Sequence, residues 1–317
     1  MHDLVHDLAR SVMVDEFNLA GPNCRYAQLT DCKKPLTSSS TSPEKLRALH
    51  IVDVSVPYRL PPDGYSPCKY VRVLDLSTAN LDELPVSIVK LKQLRYLSAP
   101  KIRDGTNLKW IGMLRELNYL DLRESYSISA LPESIGEMEG LMHLDLSSCW
   151  SLKELPHSFV RLKELVYLDF SYSPGVLGIP GSLAGLTKLQ HLGLSKCKNL
   201  GGLPEVIGNL SELRYLNLSD CMHHIFFDGS SIDQTESFID HICTLPYMEH
   251  LDLSCNGYLI SIPESARCLR KLVLDKCRQV ARLPECVAKM DPRSLFGLLL
   301  PTFSVTADDS KCNTNLG

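Results

Sequence analysis

The sequence predicts an α/β fold in which strand-and-helix units stack into a right-handed, horseshoe-shaped solenoid with a parallel sheet on its concave face. Two periodicities carry that reading. The block Leu141-Met142-His143-Leu144-Asp145-Leu146 recurs at Leu117 to Leu122, Leu165 to Phe170, Leu189 to Leu194 and Leu213 to Leu218, a step of 24 residues each time. A second marker keeps the same step: Leu131-Pro132, Leu155-Pro156, Ile179-Pro180 and Leu203-Pro204. Each block puts its last two apolar residues two apart, on one face of a short strand. The proline-led stretch, as in Leu131-Pro132-Glu133-Ser134-Ile135, spaces its apolar residues as a helix does, with proline where a first turn tolerates it. Strand then helix at every step forces the strands to run parallel, and only stacking buries all the leucines.

Taken in order, residues 1–17 carry Met1, Leu4, Val5, Leu8, Val12 and Met13 at helical spacing, so an amphipathic helix is expected there, too short to stand alone. Residues 18–45, with Gly21-Pro22 and the Lys33 to Pro43 stretch, read as a linker. Residues 46–290 hold the leucine-rich repeats, with looser copies at Leu46 to Ile51, Val71 to Leu76, Leu94 to Ala99, Met248 to Leu253 and Leu269 to Leu274. A small or polar residue, often cysteine (Cys149, Cys197, Cys221, Cys277), follows each strand where the chain turns inward. The 35-residue interval from Leu216 to Leu251 holds an insertion through His223-His224-Ile225-Phe226, expected as a loop on one face. Residues 291–317 begin another repeat and then leave the pattern.

Composition removes several function classes. Lys plus Arg number 33 against 37 acidic residues, for a net charge of -4, and no long basic run is present, so a nucleic-acid partner is not expected. The Leu295 to Leu300 run is far below the ~20 apolar residues of a membrane span, and Met1-His2-Asp3 has no export-signal character. The expectation is a cytoplasmic protein with its 12 cysteines reduced. No metal-ligand spacing appears; the His2/His6 and His223/His224 pairs lack further ligands, and no catalytic set stands out from the repeat pattern. No enzyme is expected.

Candidate binding residues come from position rather than motif. Strands stacked about 4.8 Å apart turn each repeat position into a column. The third strand position reads Tyr96, Tyr119, His143, Tyr167, His191, Tyr215 and His250, residues with a large ring and a polar tip of the kind enriched in protein interfaces. The fifth position includes Asp121, Asp145 and Asp169, which either belong to the same binding face or only hydrogen-bond along the sheet.

The segment Met1-His2-Asp3-Leu4-Val5-His6-Asp7-Leu8-Ala9, followed by Cys24-Arg25-Tyr26-Ala27 and repeats of the type Leu-Arg-x-Leu-Asp-Leu-Ser, resembles plant nucleotide-binding leucine-rich-repeat disease-resistance proteins. In that family the Met-His-Asp motif closes the winged-helix part of the nucleotide-binding module, and its histidine, here His2, lies against ADP. The resemblance implies a recognition region of an intracellular immune receptor whose partners are a host protein, a pathogen effector or the receptor's own nucleotide-binding module. It also implies that this chain is a piece of a longer receptor. The chain departs from the family in having no Gly-x-x-x-x-Gly-Lys-Ser/Thr loop, so no ADP or ATP cofactor is expected in it. A free-standing scaffold of the small-GTPase-regulator type shares the Leu-Pro-x-x-Ile repeats and is the alternative.

Overall fold

A computed structural model describes residues 25–29, 43–51, 68–79, 81–105, 108–177, 179–183, 185–221, 232–280, 283–288 and 295–296. The expected helix over 1–17, with His2, lies outside these residues, as do His223, His224, Phe226 and the tail from 297. Among the described residues, twelve strands form one sheet in strict chain order, every neighbouring pair parallel. They are β1 (Tyr26–Leu29), β2 (Ala48–Ile51), β3 (Val73–Asp75), β4 (Tyr96–Ser98), β5 (Tyr119–Asp121), β6 (His143–Asp145), β7 (Tyr167–Asp169), β8 (His191–Gly193), β9 (Tyr215–Asn217), β10 (His250–Asp252), β11 (Lys271–Val273) and β12 (Leu295–Phe296). The central leucines align across the sheet, Leu120, Leu144, Leu168, Leu192 and Leu216 in successive register. The solenoid and its parallel sheet are therefore as the repeat spacing predicts.

One boundary differs. Tyr26–Leu29 falls inside the expected linker of 18–45, yet it is a strand paired with β2 along its whole length. The leucine template hides it because Leu29 is the only leucine in the strand, while Ala27 occupies an inward position and is buried. An alternating small-apolar pattern next to an exposed repeat end is enough to add one more parallel strand.

The outer rim is tighter than an α-helical reading suggests. Val86–Lys90, Ile111–Met113, Glu133–Glu137, His157–Arg161 and Glu264–Cys268 are 3-10 turns. Pro85, Pro132, Pro156 and Pro263 stand just before their turns in extended backbone, with ψ between 138 and 158°. A 3-10 turn rises further per residue than an α-helix, so the same proline-led stretch spans more of the rim. Among the described residues, two rim segments are α-helical with proline inside, α1 (Ile179–Leu183) and α2 (Leu203–Ile207). The 35-residue interval before β10 carries a 12-residue helix, α3 (Ile232–Cys243), whose Phe238, Ile239 and Ile242 are buried. A further short helix, α4 (Glu285–Ala288), follows β11.

The core between sheet and rim is one continuous body of leucine, with Leu144, Leu168, Leu192 and Leu216 fully buried and Phe159 tilted against Phe170 at 6.2 Å. Above it, the post-strand column satisfies the backbone at each turn. Cys149 Sγ donates to the Leu122 carbonyl, Ser173 Oγ to Leu146, Cys197 Sγ to Phe170 and Cys277 Sγ to Leu253. Asn256 does most: its amide donates to the Leu218 and Leu253 carbonyls and its oxygen accepts from the Cys221 N–H. Buried backbone groups are thus paired at the inward bend, the role the sequence pattern assigns to this column.

Candidate binding face on the concave sheet

The third-position residues come together as one stack. Ring centroids lie 4.3 Å apart for Tyr96 and Tyr119, 4.0 Å for Tyr119 and His143, 4.0 Å for His143 and Tyr167, 4.2 Å for Tyr167 and His191, and 4.1 Å for His191 and Tyr215. Their planes are within 15° of parallel. His250 departs: it meets Tyr215 edge-on at 6.4 Å and 70°. Parallel register places the residues above one another, and the shared side-chain rotamer from Tyr96 to Tyr215 then lets the ring faces meet. Stacking changes what the column offers. The ring faces are consumed within the stack, and the edges and polar tips remain for a partner.

Burial dominates the electrostatics of this column. It pushes the Tyr96 hydroxyl up to about 12, with the Asp75 and Asp121 carboxylates adding to it, and raises Tyr119 and Tyr167 further. Burial also holds the His191 imidazole down to about 4, so that ring stays neutral in the stack.

The aspartates hold the strand ends. Oδ1 of Asp121, Asp145 and Asp169 accepts from the backbone N–H two residues on, at 3.1, 2.9 and 2.7 Å. Asp75, Asn217 and Asp252 do the same for Ser77, Ser219 and Ser254. This is the side-chain turn bond that aspartate and asparagine favour. Asp121 also accepts from Ser98 Oγ at 2.9 Å, and Arg123 lies 3.7 Å from Asp121 and 4.0 Å from Asp145. Burial, with Asp145 beside it, raises the Asp121 carboxyl; burial likewise raises Asp169. The Tyr167 hydroxyl donates to Asp169 at 3.3 Å, tying the two columns together.

A third group was not found in the sequence. Tyr126 and Trp150 meet edge-on at 5.7 Å on the loops that leave β5 and β6, both more than half exposed, and Lys196 sits 4.8 Å over the exposed Tyr172 ring. The signal was available one position past the Cys/Ser column for Tyr126 and Trp150 and one position before it for Tyr172 and Lys196, outside the leucine template. Among the described residues, no group of three or more His, Cys, Asp or Glu could hold a metal, and no helix is long and apolar enough to cross a membrane.

Comparison with known proteins agrees with the fold. The complex PEPR1-AtPEP1 is similar at 17% identity over 86% of this chain and 39% of that one, with a TM-score of 0.53. The Arabidopsis receptor kinase HAESA, solved with the peptide hormone IDA and the co-receptor SERK1, is similar at 20% identity over 80% of this chain and 46% of that one, with a TM-score of 0.50. The ectodomain of the Arabidopsis thaliana receptor kinase GASSHO1/SCHENGEN3 has 18% identity over 76% of this chain and a TM-score of 0.49, and only 30% of its length is spanned. No curated protein matches the sequence significantly. A family model described as a leucine-rich repeat region matches residues 100–309, about two thirds of the chain. The chain therefore belongs to the leucine-rich repeat region family, whose repeats build protein-interaction scaffolds.

Proposed function

We propose that the chain is the recognition region of an intracellular plant immune receptor, taking a host protein or a pathogen effector on its concave face. The observation that carries the binding face is the unbroken stack from Tyr96 to Tyr215, which turns polar ring edges of six successive repeats toward one side. Rigid rings lose little entropy on binding, and here they are held before a partner arrives. The immune reading is supported by the Met1-His2-Asp3 segment ahead of the repeats, which also makes a nucleotide-binding module of the same receptor a natural partner. Cytoplasmic location belongs to the same proposal.

The test screens the full chain against secreted pathogen proteins and small GTPases in plant cells. It then repeats the positive pair with Tyr96→Phe, Tyr119→Phe, Tyr167→Phe and Tyr215→Phe combined. Phenylalanine keeps the stack and removes only the hydroxyl tips. Loss of an effector contact in this variant is expected. An effector bound equally well by the variant moves the site off the column, and recovery of a small GTPase alone replaces the immune reading with the scaffold one.

A further inference from the structure

We propose that the edge where the first strands begin is a second docking surface, separate from the concave column, and that it takes an acidic helical segment of a protein partner. The residue before the ring position reads Arg25, Arg47, Arg72 and Arg95, each just ahead of its strand in β1 to β4, and strand register stacks the four in adjacent repeats. Backbone bonds hold the row: the N–H of Arg47 donates to the Arg25 carbonyl, Arg72 to Arg47 and Arg95 to Arg72, at 2.7, 2.7 and 2.8 Å. Arg72 and Arg95 are exposed, and Arg47 is half-buried with its guanidinium 4.9 Å over the Tyr70 ring. The same edge carries the exposed Lys45, Lys69, Lys90 and Lys92. Residues 43–51, 68–73 and 90–96 thus hold seven Lys or Arg and one carboxylate, Glu44, in a chain whose net charge is -4.

The same row at the other end of the sheet shows how this fold neutralises it. There Glu249 stands between Arg214 and Arg270, at 2.9 and 3.5 Å. Among the described residues, Arg47, Arg72 and Arg95 form no ion pair, and no carboxylate interrupts their row. An acidic partner would supply to Arg47, Arg72 and Arg95 the carboxylate that Glu249 supplies at the other end.

Spacing selects the partner. Strands step by about 4.8 Å, and carboxylates three or four residues apart on a helix lie about 5–6 Å apart, so two helical turns can meet three arginines in order. Guanidinium groups also accept a carboxylate through two parallel bonds, which lysine cannot match. Single-stranded nucleic acid needs open aromatic faces for its bases. Here the Tyr96 face lies on Tyr119 and the Tyr70 face lies under Arg47.

The test uses the full chain and a labelled, end-capped helical peptide with glutamate at every fourth position. Its controls are the same peptide with glutamine in place of glutamate, anionic phosphatidylserine vesicles and a single-stranded oligonucleotide. Binding of the glutamate peptide alone, weakened by salt, is expected, with Arg72→Glu and Arg95→Glu each costing about tenfold in affinity. R72E rebuilds the alternation seen at Arg214, Glu249 and Arg270, so the fold is not threatened, and an unchanged melting curve confirms it. The charge-matched pair Lys109→Glu and Lys163→Glu, elsewhere on the surface, should leave the affinity unchanged. Equal loss in that pair, full peptide binding by R72E and R95E, or tighter binding of vesicles or oligonucleotide at this edge overturns the proposal.

Discussion

Tyr119 shows how much a repeat position decides for a single side chain. Only 8% of it is exposed, it is stacked on both faces, and burial raises its hydroxyl pKa along with those of Tyr96 and Tyr167. The unfolded chain releases these protons near the ordinary value of 10.0, before the folded chain does. The stabilisation is therefore full below that pH and is lost as pH climbs through the folded values. Tyrosinate absorbance from these residues should accordingly rise together with loss of the sheet in alkaline titration; ionisation of all tyrosines with the fold intact would contradict it. The column itself was legible in the sequence, because a 24-residue step names its members. Its stacking was not, since contact between faces depends on rotamers that no repeat pattern encodes. The aspartates divide the same way. Their column was readable, and their bond to the next N–H but one is local geometry that only the folded turn displays.

At the scale of the element, the inward bend after each strand depends on one short polar side chain per repeat. Asn256 is 4% exposed and satisfies three backbone groups of two repeats. Asn256→Ala leaves buried partners unpaired and should cost about 2–4 kcal/mol in denaturant unfolding, several bonds acting at once. A change below half of that would mean that water replaces the side chain. The residue before this column sits in left-handed backbone without being glycine, at Glu124, Ser148, Tyr172, Lys196, Asp220, Cys255 and Lys276 among others. Nothing in the sequence announces that row, because its identities share no chemistry. The rim shows a comparable gap. Proline positions were plain, yet 3-10 turns stand where helices were expected at Glu133–Glu137 and His157–Arg161 while α1 and α2 keep the helix in repeats of the same step, a choice that the shared repeat pattern does not encode. The strand Tyr26–Leu29 was missed for a different reason, its inward alanine lying outside a leucine template.

Across the whole molecule each repeat touches only its neighbours, so stability accumulates along one dimension. Leu168 lies fully buried near the middle of the sheet, with strands stacked on both sides. Leu168→Ala should cost about 2–5 kcal/mol, read from the shift of the denaturant midpoint at constant slope. A fall in the slope as well would show the solenoid parting at β7 into halves that unfold separately. The ring stack has a mechanical consequence at this scale. Its steps of 4.0 to 4.3 Å are shorter than the roughly 4.8 Å pitch of stacked strands, so the inner surface is a shorter rail than the sheet that carries it. The ring column thus runs along the shorter, inner side of the arc. A partner that wedged two of these rings apart would have to lengthen that inner rail, so flattening of the arc on binding is the expected outcome, read as a change in radius of gyration by small-angle scattering.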